Sequence, residues 1–106
     1  MRDFTDDLTE LRRRVDDARA YLHVDTNRER LGALEAEAAR PDLWDDPDAA
    51  RRVTTEMARV RDDVALVDGL EGRLSDLETL HELAREEDDD SQEPELASGI
   101  LSLIHI

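Results

Sequence analysis

A histidine followed by a glutamate on a helix can begin a zinc site, and "HELAR", residues 81–85, opens like the metalloprotease motif H-E-x-x-H. Arg85 stands where the second histidine would be, so one helical face cannot supply two ligands and no metal site is expected there. "DDPD" at 45–48 and "DDD" at 88–90 lack the glycine and closing glutamate of a calcium loop. Paired carboxylates do acid–base work only in a cleft that separates their pKa values, which a thin helical bundle does not offer. The four glycines, Gly32, Gly69, Gly72 and Gly99, are too scattered to cradle a phosphate. No catalytic residue, cofactor-binding residue or metal ligand is therefore assigned.

The densest cluster of special residue types is "RPDLWDDPDAA", residues 40–50, with two prolines, the single tryptophan and four aspartates. Its order reads as a corner between helices. Pro41 ends one helix, because the residue before a proline is pushed out of the α region. Asp46 is placed to accept hydrogen bonds from the free amides of the next helix, and Pro47 sits at its first position, where no amide is missed. Asp48 adds charge that the helix dipole favours. Leu43 and Trp44 lie between the stop and start signals and are expected to anchor the corner, Trp44 at least half buried. A buried indole would contribute roughly 2 to 3 kcal/mol. The rival reading is an exposed Trp44 that serves as a partner's hot spot.

Such a corner needs helices on both sides, and composition requires them. The chain has 106 residues, no cysteine, 41% charged and 3% aromatic residues, and a formal net charge of -15. So few aromatics imply a thin, repetitive core, which suits an all-α fold: an antiparallel helical bundle with one long helix, here truncated. Lack of cysteine removes disulfides and thiolate chemistry. With 29 acidic against 14 basic residues, no direct nucleic-acid site is expected. No apolar run approaches the ~20 residues that span a bilayer, and the N-terminus lacks a signal-peptide segment, so a soluble, cytoplasmic protein with no membrane partner is expected.

Phe4, Leu8, Leu11, Val15, Ala18 and Leu22 recur with gaps of 4 and 3, predicting a first helix that ends near His23. Thr5 or Asp3 can cap it, and Glu10 with Arg14 makes an i,i+4 pair. Thr26 and Glu29 have capping-box spacing, which places the start of a second helix carrying Leu31, Leu34 and Ala38. From Val53 to Ala84 an apolar stripe predicts one helix over residues 47 to about 86, ~60 Å long at 1.5 Å per residue. Gly69 and Gly72 weaken its middle by about 1 kcal/mol each. Seven acids in the ten positions from Glu86 to Glu95 predict a solvated turn, and Glu95, Leu96 and Ala97 begin a returning helix that is cut off.

All 14 basic residues are arginine, as a GC-rich gene would encode, and residues 1–99 contain no isoleucine. Ile100, Ile104 and Ile106 break that pattern, and "LSLIHI" matches one reading frame of a transposon end used in sequencing adapters. The expected organisation is therefore a helical domain over 1–90, an acidic turn with the start of a helix over 91–99, and a non-native tail over 100–106.

The stretches "YLHVDTNRERLGALEAEAARPDLWDDPDAARRV" and "LEGRLSDLETLHELAREEDD" carry a resemblance. The P-D-x-W-D-D-P corner, a long helix and an L-x-E-L-A-x-E-E-D-D ending follow in order, and over residues 8–90 the chain resembles the N-terminal domain of the bacterial peptide chain release factor 2 family, class I translation release factors. The resemblance implies a factor that reads UGA and UAA and directs water to the ester of peptidyl-tRNA through a Gly-Gly-Gln loop. It implies the ribosome as partner, with this domain near the stalk base of the large subunit. Neither a Ser-Pro-Phe tripeptide nor two adjacent glycines occur here, so no codon-reading or catalytic residue carries over and the fragment itself is not expected to act as an enzyme. Leu22-His23 also departs from the Leu-Asp that a frameshift leaves in many members, so autoregulation by frameshift is not expected.

The alternative from another class is a free-standing acidic antiparallel coiled-coil adaptor. It would use the same leucine stripe. If the returning helix is cut off, Leu70, Leu74, Leu77 and Leu80 are left uncovered, and two outcomes are open: the stripe frays, or two chains self-associate through it.

Overall fold

The computed structural model describes residues 3–104, and Ile106 of the expected tail lies outside them. Among the described residues every regular element is helical. The helices are α1 (Thr5–Tyr21), α2 (Val24–Ala38), α3 (Pro47–Glu86) and α4 (Glu93–Ile104), with short 3-10 helices at Pro41–Asp45 and Asp90–Gln92. The all-α class and the single long helix agree with the sequence reading, and α3 runs unbroken through Gly69 and Gly72. The described chain divides into two packing units, residues 19–67 and residues 3–18 with 68–104.

In the unit of residues 3–18 and 68–104, α1 and α4 both lie antiparallel to the second half of α3. Phe4 stands beside His81 and Arg12 beside Glu71 and Glu78, so the numbering of α1 and α3 runs in opposite directions. Arg73 of α3 meets Ser102 of α4 at 2.6 Å, and Gly99 lies against Leu77, where an added Cβ would stand 2.5 Å from the Leu77 Cδ2. The core is Phe4 just before α1, Leu8, Leu11 and Val15 of α1, Leu74 of α3 and Leu96, Ile100 and Leu103 of α4, with Leu70, Leu77 and Leu80 packed against it.

This core corrects one expectation. Leu74 is 0% exposed, and α1 and α4 together cover the stripe that was expected to lie open for self-association. The returning helix, expected to begin at Glu95, begins at Glu93 and runs to Ile104, and its buried residues Leu96, Ile100 and Leu103 follow gaps of 4 and 3. Two of those three residues, Ile100 and Leu103, lie in the compositionally distinct stretch 100–106.

The cap of α1 is Asp3: its Oδ1 accepts from the Thr5 N–H at 2.9 Å and from the Thr5 hydroxyl. Arg13 rather than Arg14 pairs with Glu10, and it reaches Asp17 at 2.8 Å as well. Arg12 forms the larger network. It bonds Glu78 and Glu71 and lies 3.4 Å from the Ser75 hydroxyl, and the Glu78 and Glu71 bonds hold its guanidinium protonated well above the ordinary arginine range. Glu71, Ser75 and Glu78 are spaced 4 and 3, so one face of α3 presents all three to it.

In the unit of residues 19–67, Val24, Leu34, Val53, Val60, Val64 and Val67 form the core, with Leu22, Leu31, Ala38, Leu43 and Met57 packed on it. Arg30 bonds Glu56 at 2.8 and 3.0 Å, and Arg61 lies 3.5 Å from Glu35. The expected start of α2 at Thr26 is displaced. The helix begins at Val24, and His23 precedes it in the left-handed region with φ 52°. Val24 is fully buried, so tertiary packing draws the first turn forward past the capping box. Asn27 closes the join, its side-chain amide donating to the Leu22 carbonyl at 2.8 Å and its N–H to that of His23 at 2.8 Å.

Candidate functional site

The corner forms where its punctuation places it. Arg40 is extended with ψ 123°, as a residue before proline must be, and α2 has ended at Ala38. Pro41–Asp45 then makes a 3-10 helix, closed by the Leu43 N–H on the Arg40 carbonyl at 3.2 Å and the Asp46 N–H on the Leu43 carbonyl at 3.1 Å. Asp46 is extended and its Oδ1 accepts from the Ala49 N–H at 3.2 Å, which caps α3, and Pro47 is the first residue of that helix. The bond from Arg40 to Asp42 at 2.7 Å holds the Asp42 carboxyl below the usual carboxylate range.

Leu43 and Trp44 part company. Leu43 packs on the core of residues 19–67, whereas Trp44 is 57% exposed, so the expected burial of the indole is overturned. Successive side chains of a 3-10 helix point about 120° apart, so one of the two neighbours must leave the core face. Leu43 is the one that stays. The indole is still held, because its Nε1–H donates to the Ala38 carbonyl at 3.1 Å. That bond satisfies one of the carbonyls that the last turn of α2 leaves open. Of the five corner residues, Pro41, Asp46 and Pro47 shape the chain, Leu43 anchors it, and Trp44 faces outward.

His81, singled out in "HELAR", is a core residue. It is 6% exposed, its Nε2 accepts from the Phe4 N–H at 3.3 Å, and its ring meets that of Phe4 edge-on with centroids 6.1 Å apart. Asp3 Oδ1 lies 3.6 Å from the same nitrogen. The ring therefore secures the start of α1 against the end of α3. Its register was legible in the stripe, because Leu74, Leu77, His81 and Ala84 follow gaps of 3, 4 and 3. Among the described residues no group of three or more His, Asp or Glu side chains could hold a metal ion. No described helix is long and apolar enough to cross a membrane.

The helix α3 ends at Glu86, where the sequence places it, and the turn that follows is more ordered than its composition implies. Asp88 takes a left-handed φ of 51°, and the Asp89 N–H bonds the Ala84 carbonyl at 2.9 Å. Asp89 Oδ1 then accepts from the Ser91 N–H at 2.9 Å, which starts the 3-10 helix and holds the Asp89 carboxyl below its ordinary range, the Ser91 hydroxyl bond contributing most. The acidic run is thus an ordered turn, in which Asp88 supplies the left-handed residue and Asp89 the side-chain acceptor for a backbone amide.

Comparison with known proteins adds what geometry alone does not carry. Residues 27–102 match the family model of the PCRF domain. A protein of Streptomyces avermitilis named peptide chain release factor 2 is 35% identical over 101 residues, covering 95% of this chain and 27% of the relative. Proteins of the same name from Corynebacterium glutamicum and Beutenbergia cavernae are 39% identical over 97 residues and 42% over 85, covering 90% and 80% of this chain and 26% and 23% of theirs. The chain spans about a quarter of the length of these relatives. With the family match running from α2 through the corner and α3 into α4, the chain belongs to the PCRF-domain family.

Proposed function

We propose that the chain serves translation termination as the N-terminal helical segment of a factor that directs UGA- and UAA-dependent release of the nascent peptide on the ribosome. The observation that carries this reading is the PCRF-domain match over residues 27–102, supported by relatives named peptide chain release factor 2. This chain holds neither a Ser-Pro-Phe tripeptide nor adjacent glycines, so codon reading and ester hydrolysis fall to other parts of the longer factor. The segment contributes binding and positioning, and by itself is not an enzyme. Its partner is the ribosome, near the stalk base of the large subunit, and its place of work is the cytoplasm. A charge of -15 directs such a contact toward protein rather than toward the phosphate backbone.

The test is a chimera in which this chain replaces the matching segment of the Streptomyces avermitilis relative. Release of formyl-methionine from ribosomes programmed with UGA, UAA or UAG is then measured. The chimera is expected to release on UGA and UAA well above a factor lacking the segment, and the isolated chain to stay at background. A chimera no better than the deleted factor contradicts the reading. Residues 1–99 and 1–106 are grafted side by side, because the composition of 100–106 departs from the rest; equal release by both would assign the function to the first 99 residues.

A further inference from the structure

We propose that the exposed edge of the corner, formed by Pro41 and Trp44 and flanked by Asp45 and Asp48, is a docking surface for an arginine- or lysine-rich segment of a partner protein. Side chains three apart eclipse in a 3-10 helix, so Pro41 and Trp44 share one edge, and both are exposed. That edge is built before any partner arrives. The 3-10 helix is closed at both ends by main-chain bonds, and the indole is tied to the Ala38 carbonyl, so little freedom is lost on binding.

The same bond selects the chemistry. Nε1–H is the only donor of a tryptophan, and here it is spent within the chain. With that donor spent, the exposed part of the indole has only apolar and π surface left for a partner, and a π face attracts cations. The surrounding charge agrees. Residues 40–50 hold four aspartates and one arginine, and that arginine is bonded to Asp42. Asp46 caps α3, while Asp45 and Asp48 stand exposed on the same stretch. A guanidinium or ammonium over the ring would meet carboxylates beside it, and the chain's net charge of -15 would steer a basic segment there. A nucleic-acid strand would meet the same carboxylates as repulsion. This inference does not rest on a role in termination, and its failure would leave that reading untouched.

The probe is a labelled nine-residue oligo-arginine titrated into the chain, followed by anisotropy of the label and by emission of Trp44, the single tryptophan. Saturable binding with a shift in the Trp44 emission is expected, weakening as salt rises. Trp44→Leu keeps the apolar bulk without the π face and should bind about tenfold more weakly, whereas Trp44→Phe should recover part of the loss. Asp45→Asn with Asp48→Asn should weaken binding and flatten its salt dependence. Circular dichroism confirms that each variant folds, which is expected because Trp44 lies outside the core. Unchanged affinity of Trp44→Leu overturns the proposal, as does equal binding of oligo-glutamate or single-stranded polyuridine. An emission shift that follows protein concentration without peptide would place a second copy of the chain on the edge and also overturn it.

Discussion

The main-chain N–H of Phe4 donates to Nε2 of His81 at 3.3 Å, across 77 positions of sequence. The amide of the residue just before α1, which no helical carbonyl can satisfy, thus finds its acceptor on α3. Replacing His81 with leucine keeps apolar bulk and removes the acceptor. The expected cost is about 1 kcal/mol, read as a lower urea midpoint with faster hydrogen exchange at the start of α1. Exchange there equal to that of the parent would mean that the bond does not hold the helix end.

Arg12 is the second tie between α1 and α3, and its value lies in geometry. Its side chain is 28% exposed and contacts two carboxylates through separate nitrogens. Lysine keeps the charge but cannot fork, so Arg12→Lys should destabilise by about 1 kcal/mol, an effect reduced by solvent screening at the exposed rims. Arg12→Met should cost more, because Glu71 and Glu78 then face each other uncompensated. Thermal melts at low and high salt distinguish the cases. A Lys variant as stable as the parent at both would show that charge alone suffices.

How far the fold could be read from sequence is seen at the ends of α3. Asp46, Pro47 and Asp48 are local signals that act through their own backbone, and they placed the start of the helix correctly. The acidic residues at its other end are equally local, and the last turn at Glu86 was legible too. The exposure of Trp44 is not legible, because burial is decided by the direction of a side chain around a five-residue 3-10 helix, which spacing between prolines does not specify. His23 in the left-handed region follows from the burial of Val24, a tertiary demand that outweighed the capping box at Thr26 and Glu29. Of α4 the sequence shows the first turn, Glu95, Leu96 and Ala97, within two residues of where the helix begins at Glu93.

The capping aspartates make a prediction about acid. Asp3 is held below the ordinary aspartate pKa chiefly by the Thr5 hydroxyl and then by the Thr5 N–H, and Asp89 likewise by Ser91. A carboxyl whose folded value is depressed stabilises the fold fully above its unfolded value, and that contribution is lost as pH falls through the folded one. The starts of α1 and of the 3-10 helix at Asp90 should therefore loosen below about pH 4. The Thr5 and Ser91 amide signals in NMR should show this, with Asp3→Asn removing the titration at Thr5. Amide shifts that stay flat from pH 6 to pH 2 would refute it.

Gly69 and Gly72 sit inside α3 with nothing within 4 Å of an added Cβ. Alanine at either position should stabilise by about 0.5 to 1 kcal/mol, since it restricts the unfolded chain and meets no neighbour. Gly99→Ala differs, because its Cβ would press on the Leu77 side chain and Leu77 would have to move. Its gain should be smaller or reversed. Equal gains in melting temperature for all three substitutions would show that Leu77 yields without cost.

Ile100 is 5% exposed and Leu101, one position on, is 56% exposed, so neighbouring residues of α4 test opposite faces of one helix. Ile100→Asp places a carboxylate in a core shared with Leu74 and Leu96 and should cost about 3 kcal/mol or more. The least costly response is for α4 to leave α3, which would uncover Leu74 and Leu77. An uncovered stripe of that kind seeks another apolar surface, and a second chain offers one. Repulsion between chains of charge -15 opposes the pairing until salt shortens the Debye length to about 3 Å at 1 M. Sedimentation should therefore find the parent monomeric at every salt concentration, Leu101→Asp monomeric as well, and Ile100→Asp associating as salt rises. Association of the parent equal to that of Ile100→Asp would show that α4 does not cover the stripe in solution.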